Sequence, residues 1–154
     1  MSELTFRNAE EQDCGKILYF IKQLAVYEKM EDQVVSTEEI LREWIFEKKK
    51  AEVIFGCLDG KEIGFAVFFH NFSTFLGRAG IYLEDLFVLP EYRGRGFGKA
   101  FLVKLAETAL ERGCGRWWPG INGSFRVCKR RGDEACLGRH LSAFCKSQRE
   151  EIWH

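Results

Sequence analysis

The sequence predicts an α/β fold: a mixed sheet that contains an antiparallel hairpin and carries helices on both faces. Three observations lead there. Apolar residues alternate, or run in short stretches rich in Val, Ile and Phe, at four places. Three other segments repeat their apolar residues at helical spacing, and the two kinds follow the order strand, helix, helix, strand, strand, strand, helix. Asp59-Gly60 lies between two of the strand-like runs, where a two-residue turn would make them an antiparallel pair.

Taken in order, "LTFR" at residues 4–7 alternates as a first strand does, and Asp13 stands where a helix N-cap belongs. Ile17, Leu18, Ile21, Leu24 and Ala25 then fall on one helical face. "STEE" at residues 36–39 offers Ser36 as a cap and Glu39 as its capping-box partner, opening a second helix through Ile40, Leu41, Trp44 and Ile45. The run "AEVIFGCLDGKEIGFAVFFH", residues 51–70, supplies the hairpin. "NFSTFLGRAG", residues 71–80, reads as a loop, and "IYLEDLFVL", residues 81–89, reads as a strand with Glu84 and Asp85 side by side in an apolar context. A last helix buries Phe101, Leu102, Leu105, Ala106, Ala109 and Leu110, and stops at Arg112-Gly113 with a cation and a glycine at its end.

At 154 residues the chain fits one domain spanning 1–154. The 23 basic and 23 acidic residues cancel, so the summed field gives no reason to expect nucleic acid or an anionic membrane as partner. Six cysteines (Cys14, Cys57, Cys114, Cys128, Cys136 and Cys145) form no C-x-x-C pair and follow no signal peptide, which points to reduced thiols in a soluble cytoplasmic protein. His70, His140 and His154 have no zinc spacing to those cysteines, so no metal is expected.

The chemistry concentrates in "EYRGRGFGKAFL", residues 91–102, between a strand and a helix. A helix N-terminus presents unpaired N–H groups and the positive end of a dipole, both suited to phosphate oxygens. Gly94, Gly96 and Gly98 let the backbone approach a ligand closely, and Arg93 and Arg95 add charge that matches phosphate. Alone, the cluster fits an ordinary turn with solvated arginines equally well. The Walker pattern is missing, because Ala100 follows Gly98-Lys99 where a magnesium-binding hydroxyl is required. A dinucleotide fold would place such a turn near the start of a parallel βαβ unit, whereas here it comes late, after an antiparallel hairpin.

"LEDLFVLPEYRGRGFGKAFL" resembles the Arg-x-x-Gly-x-Gly acetyl-coenzyme A signature of the GNAT family of N-acetyltransferases, through Arg93, Gly96 and Gly98. "LAVYEKMEDQV" together with "YLEDLFV" resembles its diamine acetyltransferase branch, whose best-known members acetylate spermidine and spermine, and the likeness runs from about residue 4 to 112. The resemblance implies a GNAT-like mixed sheet, acetyl-coenzyme A as co-substrate and a small primary amine, polyamine-like or lysine-like, as acceptor. It implies that Leu86, Phe87 and Val88 pair with the pantetheine arm through their backbone, and that the amides of Gly94, Arg95, Gly96, Phe97, Gly98 and Lys99 cradle the pyrophosphate. It also implies a homodimer, as is common among related proteins.

A protonated amine does not attack a thioester, so something must accept its proton. Glu84, directly or through water, is the candidate base, with Asp85 attracting the cationic amine; either carboxylate could instead pair with an arginine or face solvent. Tyr27 and Glu28, with Glu31 and Asp32 beyond them, end the first helix where relatives form part of the amine pocket, although a solvated helix end reads the same way.

The final third departs from the family. Asn122 falls near the position of a cofactor-touching Asn, but Cys128 stands where relatives carry the tyrosine that protonates the departing thiolate. Residues 117–154 are atypical, and the strand that should follow Gly132 is not legible. Were residues 132–141 encoded GGC GAT GAA GCC TGT CTG GGA CGA CAT TTG, a one-base shift would read Ala-Met-Lys-Pro-Val-Trp-Asp-Asp-Ile after the glycine, restoring a family-like turn and strand. The expectation is that residues beyond about Gly132 are read out of frame relative to the family. The alternative to an active enzyme is a catalytically impaired coenzyme A binding module of the same fold.

Overall fold

A computed structural model describes residues 2–119 and 125–126 of the chain. Its strands are β1 (Thr5–Asn8), β2 (Glu52–Leu58), β3 (Lys61–Ser73), β4 (Arg78–Val88), β5 (Arg116–Pro119) and β6 (Phe125–Arg126), and they form one sheet in that order. The helices are α1 (Cys14–Glu28), α2 (Glu38–Leu41), which continues as a π-helical segment Arg42–Glu47, and α3 (Phe97–Glu111). The first four strands pair antiparallel, and the crossover through α3 makes β5 parallel to β4. Among the described residues, no helix is long and apolar enough to cross a membrane.

Period-2 alternation splits the core into two layers. Ile54, Ala66, Phe68, Ile81 and Leu83 pack against Phe101, Leu102, Leu105 and Ala109 of α3. Val53, Phe55, Cys57, Phe65 and Phe87 point the other way, against Cys14, Ile17 and Phe20 of α1 and Leu41 of α2. Helices therefore cover both faces, as the sequence predicts. Cys14, Cys57 and Cys114 are buried free thiols, and burial raises the pKa of each.

Asp59 and Gly60 both have positive φ, 52° and 76°, the geometry of a type I′ hairpin turn. Asp13 holds the N-cap position of α1 as expected, although its side chain makes no cap bond; its buried carboxylate takes a fork from Arg7 at 2.7 and 2.9 Å and accepts the Glu10 amide. Three other local expectations need correction. Thr37, not Ser36, caps α2, its hydroxyl accepting from the Ile40 amide. Ile40 and Trp44 are exposed rather than core, and Lys48 covers the Trp44 ring. Most of residues 71–80 is strand rather than loop: β3 and β4 stay paired out to Ser73 and Arg78.

The stop at Arg112 has a tertiary cause beyond the helix dipole. Its guanidinium grips both oxygens of Glu52 at 2.6 and 2.8 Å and also donates to His70 Nε2, while His70 Nδ1 donates to the Gly80 carbonyl. One side chain thus ties the end of α3 to β2 and β3.

Candidate active site

The site is built around a break in the β3–β4 ladder. Val67 stands across from Asp85 and Phe68 across from Leu83, so Glu84 is an extra residue with no partner. The break also changes which side chains face which helix. Before it, Ile81 and Leu83 join the α3 layer; after it, Leu86 and Val88 do, while Phe87 packs on the α1 side. Asp85 falls in phase with Phe87, toward the end of α1.

Glu84 is exposed and Asp85 half-buried. Burial, reinforced by the charges of Glu84 and Glu28, pushes the Asp85 carboxyl up to about 6. Tyr27 sits with its ring centroid 6.4 Å from that of Phe87. Asp85 thus feels the charge of Glu28, and Tyr27 packs on Phe87 of the same strand; Glu31 and Asp32 lie further along in an exposed 3-10 turn.

On its other edge, β4 pairs with β5 only through residues 80–83, ending at Pro119. Among the described residues no strand pairs with 84–88 on that side, which leaves the outward-facing backbone groups of Leu86, Phe87 and Val88, other than the Val88 carbonyl that Arg93 holds, open to an extended ligand. Gly64 stands across from Val88 so closely that a β-carbon there would lie 2.6 Å from the Phe87 carbonyl oxygen. Spacing alone gives no sign of that contact.

After β4 a 3-10 turn, Pro90–Tyr92, leads into the glycine loop. Gly94 and Gly96 take φ of 78° and 81°, and a β-carbon on either would meet nothing within 4 Å, so the outer side of the loop is open. Gly96 begins α3 without any side-chain cap. The first-turn amides at Phe97, Gly98 and Lys99 consequently lack intrahelical acceptors and suit an anion.

The Arg93 side chain has partners outside the loop. Its guanidinium turns back from the loop: Nε donates to the Val88 carbonyl at 2.9 Å, and the group lies over the rings of Tyr27 (4.4 Å) and Phe87 (5.0 Å). Arg95 is exposed, 5.8 Å from the Tyr92 ring centroid. The charge of Arg93 is thus held against aromatic faces and a carbonyl, a use its place in the motif does not reveal.

Residues 11–132 match the acetyltransferase (GNAT) family. The chain belongs to that family. It is an acetyl-coenzyme A dependent N-acetyltransferase. Among curated GNAT relatives, it is 40% identical over 129 residues to a thialysine N-epsilon-acetyltransferase of Sus scrofa, covering 76% of this chain and 74% of that protein. The Bos taurus protein of the same name is 41% identical over 123 residues, covering 74% and 72%. A human spermidine/spermine N(1)-acetyltransferase-like protein 1 is 31% identical, covering 74% of this chain and 17% of that one.

Solved GNAT structures share the fold. An aminoglycoside acetyltransferase from an uncultured soil metagenomic sample, in complex with sisomicin, matches with a TM-score of 0.67 at 17% identity, over 90% of this chain and 86% of that one. A Clostridium acetobutylicum acetyltransferase with acetyl-coenzyme A matches with a TM-score of 0.63 at 16% identity, over 75% and 79%. Asn122 and Cys128, and the frame-shift reading beyond Gly132, lie outside the described residues.

Proposed function

We propose that this enzyme acetylates the primary amine of a small cationic acceptor, lysine-like or polyamine-like, with Glu84 taking the amine's proton directly or through one water. The single observation that carries the reading is the unpaired Glu84 at the β4 bulge, exposed beside a strand edge that has no partner from residue 84 onward among the described residues. That arrangement puts a carboxylate next to the strand that would hold the acyl donor. Leu86, Phe87 and Val88 would pair with the donor's amide arm, and the amides from residues 94–99 would hold its diphosphate. Bound there, the donor supplies an activated acetyl thioester. Asp85 and Glu28 give the acceptor side negative charge, which favours an ammonium. The names of the thialysine relatives support a lysine-like acceptor.

No nucleophile with a partnered base stands in the described site, so direct attack by the amine on the donor is the proposed route. We also take the protein to be a cytoplasmic homodimer, on the resemblance to the polyamine branch; light scattering tests the dimer. The reaction is tested by mixing the chain with acetyl-coenzyme A and thialysine, lysine or spermidine and following released thiol, beside a version with the frame restored after Gly132. Turnover of at least one amine by either version supports the assignment. Coenzyme A binding with no turnover by either version would reduce the chain to a donor-binding module.

A further inference from the structure

Arg93 belongs to the glycine loop by sequence, yet its side chain leaves the loop and touches two other elements. Its Nε bond to the Val88 carbonyl holds the end of β4, the strand proposed to bear the acyl donor. Its plane rests on Phe87 of the same strand and on Tyr27 in the last turn of α1, and those two rings also meet each other. Loop, donor strand and acceptor-side helix therefore converge on one guanidinium. Arg93 is half-buried between the buried Phe87 and the 41% exposed Tyr27, so its cation is partly desolvated on the Phe87 side, where a cation over an aromatic face gains most.

We infer that Arg93 is a positioning residue that couples the two substrate sites: ordering the loop on a diphosphate fixes Arg93, which fixes Tyr27 and hence the amine pocket. The inference rests on the donor and acceptor assignment above. It differs from the expectation that the arginine pairs with phosphate, because the guanidinium already has the Val88 carbonyl and two rings as partners. Lysine could keep the charge but not the planar stacking or the Nε donor. Coupling between sites is reciprocal, so bound coenzyme A should tighten amine binding and the amine should tighten coenzyme A by the same factor.

The test compares wild type with Arg93→Gln, Arg93→Lys and Tyr27→Leu. Coenzyme A affinity is measured by calorimetry at two salt concentrations, thialysine KM and kcat by thiol release, and amide hydrogen exchange with and without coenzyme A. All three variants are expected to bind coenzyme A within about threefold of wild type with an unchanged salt slope, and to raise thialysine KM more than they lower kcat. Coenzyme A should slow exchange at residues 94–99 in every protein, but at residues 26–30 only in wild type. The exchange readout needs no turnover, and Tyr27→Leu leaves the loop sequence intact should either Arg93 variant fold poorly. A tenfold or greater loss of coenzyme A affinity with a shallower salt slope in both Arg93 variants would make Arg93 a phosphate ligand and overturn the inference. So would protection at residues 26–30 that survives in all three variants. Absence of coenzyme A binding by wild type would instead remove the donor-site assignment itself.

Discussion

Glu84 and Asp85 are chain neighbours that the β4 bulge sends into different surroundings: Glu84 is exposed and faces no residue of β3, whereas Asp85 is half-buried across from Val67. The same break gives them different tasks. Exposure keeps Glu84 accessible to an amine or a water. Burial beside Glu84 and Glu28 makes Asp85 the group whose charge changes within the working range, near pH 6. The expected result is that kcat/KM for a cationic amine falls as pH drops below about 6, when Asp85 takes up a proton and stops attracting the ammonium. Asp85→Asn should lose that dependence and sit about tenfold below wild type at pH 8, equivalent to ~1.4 kcal/mol. A pH profile of the variant that still bends at 6 would assign the titration elsewhere. Glu84→Gln should lower kcat by about 100-fold, the scale of a lost general base.

The same raised carboxyl has a stability signature of opposite sense. Its folded pKa lies above the ordinary 3.8, so between 3.8 and about 6 the folded chain holds a proton that the unfolded chain has released. Stability contributed by the protonated form is full at low pH and is lost as pH rises toward 6. Asp85→Asn is therefore expected to be more stable than wild type at pH 8, by up to about 3 kcal/mol, and no more stable at pH 3.5. Urea denaturation at the two pH values checks this.

Gly96 separates ligand binding from folding. A side chain there has open space but must adopt φ of 81°. Gly96→Val should cost about 1–2 kcal/mol in stability. It should also reduce coenzyme A affinity by more than tenfold, because the branched side chain projects where the loop is open to the diphosphate. Calorimetry showing unchanged affinity in a folded variant would contradict the cradle.

Much of this site is legible in the sequence, and the parts that are not have identifiable causes. The glycine loop is legible because each glycine changes what the backbone can do, and α1 and α3 because their apolar spacing is regular. The bulge leaves a trace: buried residues fall at odd positions through Ile81 and Leu83, then at even positions with Leu86 and Val88 on the same side. Tyr82 and Phe87 are also apolar, and they mask the change of phase. The far ends of β3 and β4 read as a loop because Asn71, Ser73, Thr74 and Gly77 are turn formers. Backbone pairing, not burial, holds that extension, which leaves Phe75 97% exposed at its tip. Arg93's turn toward Tyr27 depends on α1 ending beside β4, a tertiary fact no local pattern contains.

Two glycines in the hairpin should differ in tolerance although both are crowded. A β-carbon at Gly56 would meet the Phe101 ring at 2.7 Å, and at Gly64 the Phe87 carbonyl oxygen at 2.6 Å. A ring edge can swing away, whereas that carbonyl belongs to the strand proposed to carry the donor. Gly64→Ala is expected to cost about 3 kcal/mol, and Gly56→Ala about half of that. Gly64→Ala should also weaken coenzyme A binding while Gly56→Ala leaves it unchanged. Equal losses in chemical denaturation would mean that β4 yields as easily as a side chain.

The charges at the start of α1 predict how the fold fails in acid. Glu62 accepts from Lys16 at 2.8 Å and from Arg7 at 2.7 Å, contacts that hold its carboxyl down at about 2 instead of 4.5. The Arg7 fork likewise lowers the Asp13 carboxyl. A depressed folded pKa contributes stability that is fully present above the unfolded value and is lost as pH falls through the folded one, here between about 4.5 and 2. Glu62→Gln should cost about 1 kcal/mol at pH 7 and flatten the acid limb, converging on wild type near pH 2. Arg7→Met should cost more, about 3 kcal/mol, because it leaves Asp13 buried without its countercharge. Asp13→Asn in the Arg7→Met background should recover part of that loss. Recovery identifies the uncompensated carboxylate as the cause, whereas no recovery would place the cost in lost packing of the guanidinium on the Phe55 ring, 4.7 Å away.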